Sequence, residues 1–189
     1  MRKALPALAA VLVLLSACVP SLHPLYSPET IVFREELIGV WKENPQDEES
    51  WTFTKRDEEK SYALVIREDK RDSSLHARLV KLDEHHFLDL VADADTLNEK
   101  VGDLYRASLI PGHLTMKVKL GAKLEIQMLD PEKLKELLKA SPKALAHTYI
   151  EKDYLVITAS TEELQAFMKK HAESKELWGD PGVMEKMLL

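Results

Sequence analysis

The chain has 189 residues, a net charge of -6 and a single cysteine. An acidic chain gains nothing from a phosphate backbone, which argues against nucleic acid as a partner. One cysteine excludes an internal disulfide, so the fold must hold by packing alone.

The first eighteen residues read MRKALPALAAVLVLLSAC. Arg2 and Lys3 form a short positive region, Ala4 to Leu15 is apolar apart from Pro6, and the small residues Ser16 and Ala17 precede Cys18. This is the layout of a secretory signal peptide over residues 1–17. Its apolar run of about 12 residues is too short for a spanning helix, which needs about 20. Leu15-Ser16-Ala17-Cys18 also resembles the lipobox of bacterial lipoproteins, L-[AS]-[GA]-C, at all four positions. The resemblance implies cleavage before Cys18, acylation of that cysteine and attachment to a lipid bilayer through it. The sulfur is then a thioether, unable to act as nucleophile or ligand. Each buried methylene contributes about 0.8 kcal/mol, so two or more chains anchor stably where one does not. Val19 stands where Gram-negative lipoproteins kept in the inner membrane commonly carry Asp. The resemblance therefore implies a cell-envelope location, on the outer membrane facing the periplasm.

Residues 18–30 contain Pro20, Pro24 and Pro28. Proline fixes φ and removes donors, which predicts an extended, lipidated tether of roughly 3.1 Å per residue. His23, Leu25 and Tyr26 interrupt its polar character and offer side chains for packing on the domain. Residues 31–189 are expected as a single β-rich domain with C-terminal helices, long enough for a sizeable core.

Glu35 to Lys42 is the first predicted strand. Its Gly39-Val40-Trp41 resembles the G-x-W pattern near the first strand of lipocalin-like barrels. The resemblance implies that the tryptophan closes the barrel bottom, that the glycine permits close packing, and that an arginine near the last strand stacks on the tryptophan. The last predicted strand, Tyr154 to Ala159, departs from that pattern, with only Lys152 nearby.

Between these lies a meander: Ser50–Lys55, Ser61–Arg67, Leu75–Leu82, Phe87–Val91, Asp103–Ile110, Leu114–Leu120 and Lys123–Leu129. Short strands separated by polar turns such as Asn44-Pro45-Gln46-Asp47 and Pro111-Gly112 argue for an antiparallel barrel or sandwich. Met116, Val118 and Leu120 alternate with Lys117 and Lys119, and Leu124, Ile126 and Met128 with Lys123, Glu125 and Gln127. That is period-two patterning with one wet face, and it lets Lys117 and Lys119 pair across the hairpin with Glu125 or Gln127.

The period then changes. Asp130-Pro131-Glu132 supplies an N-cap acceptor, proline at the first helical position and an acid in the first turn, ahead of the stripe Leu134, Leu137, Leu138. Ser160 with Glu163 forms a capping box ahead of Leu164, Phe167, Met168 and His171. Val183 to Leu189 reads as a short terminal helix. The fold class is thus mainly β (α+β): a lipocalin-like antiparallel barrel or half-barrel meander with C-terminal helices.

Chemistry-bearing motifs are sparse. His85 and His86 are adjacent on a strand and point to opposite faces, so they do not chelate one ion together. Asp93 and Asp95 lack the spacing and glycine of a calcium loop. Asp57-Glu58-Glu59, between Arg56 and Lys60, is a charged turn. No nucleophile elbow, P-loop or dinucleotide fingerprint occurs, so no catalytic residue, metal or cofactor is assigned. The expected function is non-catalytic binding of a small apolar ligand or lipid, with Trp41, Trp51, Phe53, Leu124, Ile126 and Met128 as closing or wall residues. The alternative is a structural or interaction lipoprotein with a filled barrel, an accessory to an envelope assembly. Its protein partner would dock around Phe167, Met168 and Trp178.

Overall fold

The computed structural model describes residues 19–56, 60–93, 102 and 108–188. Seven strands follow one another as a meander: β3 (Gly39–Lys42), β4 (Ser50–Lys55), β5 (Ser61–Glu68), β6 (Arg71–Leu82), β7 (His85–Ala92), β8 (His113–Leu120) and β9 (Lys123–Met128). Each pairs antiparallel with the next. An eighth ring strand, β12 (Gly182–Lys186), pairs antiparallel with both β9 and β3 and closes the barrel. The expected lipocalin-like antiparallel barrel is therefore present, and as a closed eight-stranded ring. Closure removes the free edges that a half-barrel would leave.

Two sequence expectations fail inside the ring. Val183 to Leu189 is not a helix; Gly182–Lys186 is strand β12. An isolated helix of seven residues is too short to sustain itself, whereas β3 and β9 present two unpaired edges. The register Met184↔Leu124 turns Met184 inward and leaves Val183 exposed. Glu35–Leu37 is likewise not strand but a 3₁₀ turn leading into β3. The predicted strand Asp103–Ile110 lies largely outside the described residues, as do Cys18, Asp95 and the turn Asp57-Glu58-Glu59. β7 pairs directly with β8, so no strand separates them in the ring.

Alternation places one side chain in two inside. Trp41, Phe53, Tyr62, Leu64, Leu88, Leu90 and Leu124 fill the interior and are almost wholly buried. The strands β6 and β7 are apolar on their outer face too, through Val80, Leu82 and Phe87, and this face carries a second core. Helices α1 (Pro131–Ala140) and α2 (Thr161–His171) supply it with Leu134, Leu138, Leu164, Phe167 and Met168. Asp130 caps α1 by accepting from the Glu132 and Lys133 amides, and the Ser160–Glu163 box caps α2 from both sides. Lys119 pairs with Glu125 at 3.1 Å across the β8–β9 hairpin, as its register requires. Lys117 instead lies under the end of α2, donating to the Ala172 carbonyl at 2.9 Å and facing the Trp178 ring at 5.1 Å.

The described part of the proline-rich segment is not a free tether. β1 (Pro20–Ser21) pairs antiparallel with β8 and parallel with β11 (Tyr154–Ile157), whose hairpin partner is β10 (His147–Ile150). Leu25 is fully buried, and its amide donates to Asp89 Oδ2 at 2.7 Å. From α2, Thr161 donates to the Pro24 carbonyl and Gln165 to the Leu25 carbonyl, each at 2.8 Å. The prolines limit the segment's donors, and the amides of Leu22, His23, Leu25, Ser27 and Thr30 each find an acceptor. Residues 19–30 thus lie on the body, and the expected reach of a spacer is not available to them. One further short strand, β2 (Ile31–Val32), pairs with β6 and leads to the barrel bottom.

Candidate functional site

The two ends of the barrel differ. At the bottom, Leu37 of the 3₁₀ turn is fully buried and its carbonyl accepts from Trp41 Nε1 at 2.8 Å. Phe33 stacks on Tyr62 with ring centres 4.9 Å apart. The Tyr62 hydroxyl donates to the Arg34 carbonyl at 3.1 Å and accepts from the Arg34 amide at 2.7 Å. Burial pushes the Tyr62 phenol above its ordinary range. Lys186 of β12 reaches over the Trp41 ring at 5.4 Å and donates to the Glu36 carbonyl at 2.9 Å. Gly39 has φ of +133°, and a Cβ there would stand 2.7 Å from Lys186 Cε. No arginine stands there; the cation over Trp41 is Lys186. Lys152 sits in the exposed turn of the β10–β11 hairpin, and the last strand of the ring is β12 rather than Tyr154–Ala159.

The other end is a mouth. Trp51, Met116, Ile126, Met128 and Met184 form an apolar floor beneath a rim of Glu43, Asp47, Glu49, Arg67, Glu68 and Asp180. Of the six residues expected to line a ligand site, Trp51, Ile126 and Met128 reach this floor. Trp41, Phe53 and Leu124 lie deeper and fill the barrel. Met116 and Met184 join the floor without having been singled out. Met116 was legible as an inward residue of its strand, whereas Met184 was hidden by the helical reading of its segment. Three of the chain's six methionines thus meet at one place. Unbranched thioether side chains repack around irregular shapes more readily than branched ones.

The free space above the floor is about 80 Å³. Sites for drug-sized ligands run to about 300–1,000 Å³, and a cavity of about 150 Å³ takes a benzene. As it stands, the mouth has room for no more than the end of an alkyl chain or a comparably small apolar group. A whole fatty acid does not enter without displacing floor residues.

The rim is acidic. Five carboxylates share it with Arg67 alone. Arg67 is turned away to Asp72, with Nε and a terminal nitrogen each 2.8 Å from its carboxylate oxygens. That pair holds Asp72 below and Arg67 above their ordinary ranges. Lys42, just outside, donates to the Asp47 carbonyl at 2.6 Å. Among the described residues, no ion pair reaches Glu43, Asp47, Glu49, Glu68 or Asp180. Burial raises the Glu68 pKa, and the neighbouring Glu49 and Asp69 add to the rise.

Elsewhere, His85 Nδ1 lies 3.4 Å from a Glu173 carboxylate oxygen. Among the described residues no group of three His, Cys, Asp or Glu could hold a metal ion, and no helix is long and apolar enough to cross a membrane. The surface expected to receive a protein partner is not a surface. Phe167, Met168 and Trp178 are buried in the second core, because the apolar stripe of α2 packs onto the outer face of β6 and β7.

The comparisons name no relative. The chain matches no family model, no curated protein and no solved structure. The fold and the mouth are what a functional reading rests on.

Proposed function

We propose that the chain is a lipid-anchored envelope protein that binds a small apolar ligand, non-catalytically, at the mouth of its barrel. One observation carries this reading: a barrel plugged at one end opens at the other onto an apolar floor rich in methionine. Exposed apolar surface in a concave, water-facing position gains on being covered, at about 25 cal/mol per Å². The small free volume favours a short alkyl tail entering end-on over a lipid swallowed whole. Anchorage through Cys18 rests on the Leu15–Cys18 pattern. It would set the barrel on the membrane surface, where amphiphiles concentrate, and the absence of Asp at position 19 favours the periplasmic face of the outer membrane.

The packed interior favours a second reading, an accessory lipoprotein whose barrel is only a scaffold. Its partner would have to use a surface other than Phe167, Met168 and Trp178. Two measurements test them, one for the anchor that both readings share and one that separates the two. Metabolic labelling with palmitate should mark the chain, and Cys18→Ala should abolish the mark. Octanol should shift tryptophan emission of the wild type, and Trp51→Phe should lose that response. No response to octanol at its solubility limit, with labelling intact, would leave the scaffold reading.

A further inference from the structure

The floor of the mouth says what tail fits; the rim says what head. We infer that the ligand is a cationic amphiphile, with a short apolar tail on the Trp51–methionine floor and an ammonium-type head among the rim carboxylates. This rests on the proposed ligand-binding role of the mouth and names the class of compound it selects.

The inference follows from geometry and charge together. The tail axis has one way in, because Leu37, Trp41 and Lys186 block the bottom. A head group attached to a tail of a few carbons must therefore stop at rim height. There it meets Glu43, Glu49, Glu68 and Asp180 together with the Asp47 carboxylate. The one guanidinium of the lining is committed to Asp72. An anionic head would meet several like charges in a lining whose only cation is Arg67. A cationic head offsets the repulsion from Glu49 and Asp69 that adds to burial in disfavouring ionisation of Glu68. Like-charge crowding next to a low-dielectric floor is felt more strongly than in open water, since the apolar side screens nothing. The fatty acid commonly imagined for such a barrel is thus the wrong charge for this one.

Three probes of equal tail length separate tail from head: octylammonium, octanol and octanoate. The full acylated chain is placed in phosphatidylcholine nanodiscs, whose neutral surface does not sort the probes by charge, and the tryptophan response is titrated. Octylammonium should reach half-response at a concentration at least tenfold below octanoate, with octanol between them. The gap should narrow at about 1 M salt, where the Debye length falls to about 3 Å. It should also narrow in the double variant Glu49→Gln/Glu68→Gln, and the response should vanish in Trp51→Phe. Octanoate binding as tightly as octylammonium, or a preference that salt and the double variant leave unchanged, overturns the cationic assignment while octanol binding still upholds the site. Silence of all three probes removes the site and the assignment together.

Discussion

A few side chains decide how the barrel is closed and how its mouth is charged. Gly39 holds a φ of +133°, which side-chain-bearing residues rarely adopt, and the stem of Lys186 passes where its Cβ would be. The lysine can shift aside, but the backbone angle cannot be relaxed without moving β3. Gly39→Ala should therefore lower the unfolding free energy by about 1–3 kcal/mol, read from the denaturant midpoint. Lys186→Met keeps the apolar stem but loses the charge over Trp41 and the hydrogen bond to the Glu36 carbonyl, for which a loss of about 1–2 kcal/mol is expected. At the mouth, the raised pKa of Glu68 has a definite sign for stability. Its protonated form is the favoured one in the fold, so stability is fullest below the unfolded-state pKa and declines as pH rises through the folded-state value. Glu68→Gln removes that penalty. The variant should melt above the wild type at pH 7, and the two should converge below about pH 4. Equal melting temperatures at both pH values would show that neither burial nor the neighbouring Glu49 and Asp69 penalises its charge.

At the scale of elements, regular alternation was legible and context was not. The strands from Ser50 to Lys55 and from Leu114 to Leu120 announce themselves because one face is apolar and the other polar. The capping residues Asp130 and Ser160 mark the two helix starts because each carries an oxygen where free amides need an acceptor. β12 did not announce itself, since Val183-Met184-Glu185-Lys186 fits a turn of helix as well as a strand. Only the open edges of β3 and β9, assembled from distant sequence, decide it. That loss hid half of what matters at either end: Lys186 at the bottom and Met184 at the mouth. The strand assignment makes a period-two prediction. Met184→Ala, inside, should cost about 2–5 kcal/mol, while Val183→Ser, outside and 40% exposed, should change stability by less than about 0.5 kcal/mol. A helix would place the costly positions three or four apart rather than two.

The whole molecule is a barrel with its own N-terminal segment strapped to its side. Residues 19–30 were legible as extended, because proline imposes that, but not as docked, because their partners lie in β8, β11, α2 and on Asp89. Asp89 is the fastening. It is 1% exposed, accepts from the Leu25 amide through one oxygen and meets His113 Nδ1 at 2.7 Å through the other. An amide in its place must turn its NH₂ toward one of these two groups, leaving a buried donor facing a donor or forcing the His113 ring to exchange its proton. Asp89→Asn should therefore loosen the strap without opening the barrel, since the ring of eight strands does not depend on it. Losing a hydrogen bond to a buried carboxylate costs about 1.5–3 kcal/mol. If Cys18 carries the anchor, the docked segment keeps the barrel against the bilayer, whereas a freed arm of twelve residues would let it stand off by roughly 40 Å at 3.1 Å per residue. Limited proteolysis of vesicle-bound protein reads the difference. The wild type should resist cleavage within residues 19–30, and Asp89→Asn should release a soluble, folded body from the vesicles. Equal resistance in both would mean that the pairing of β1 with β8 and β11 holds the segment by itself.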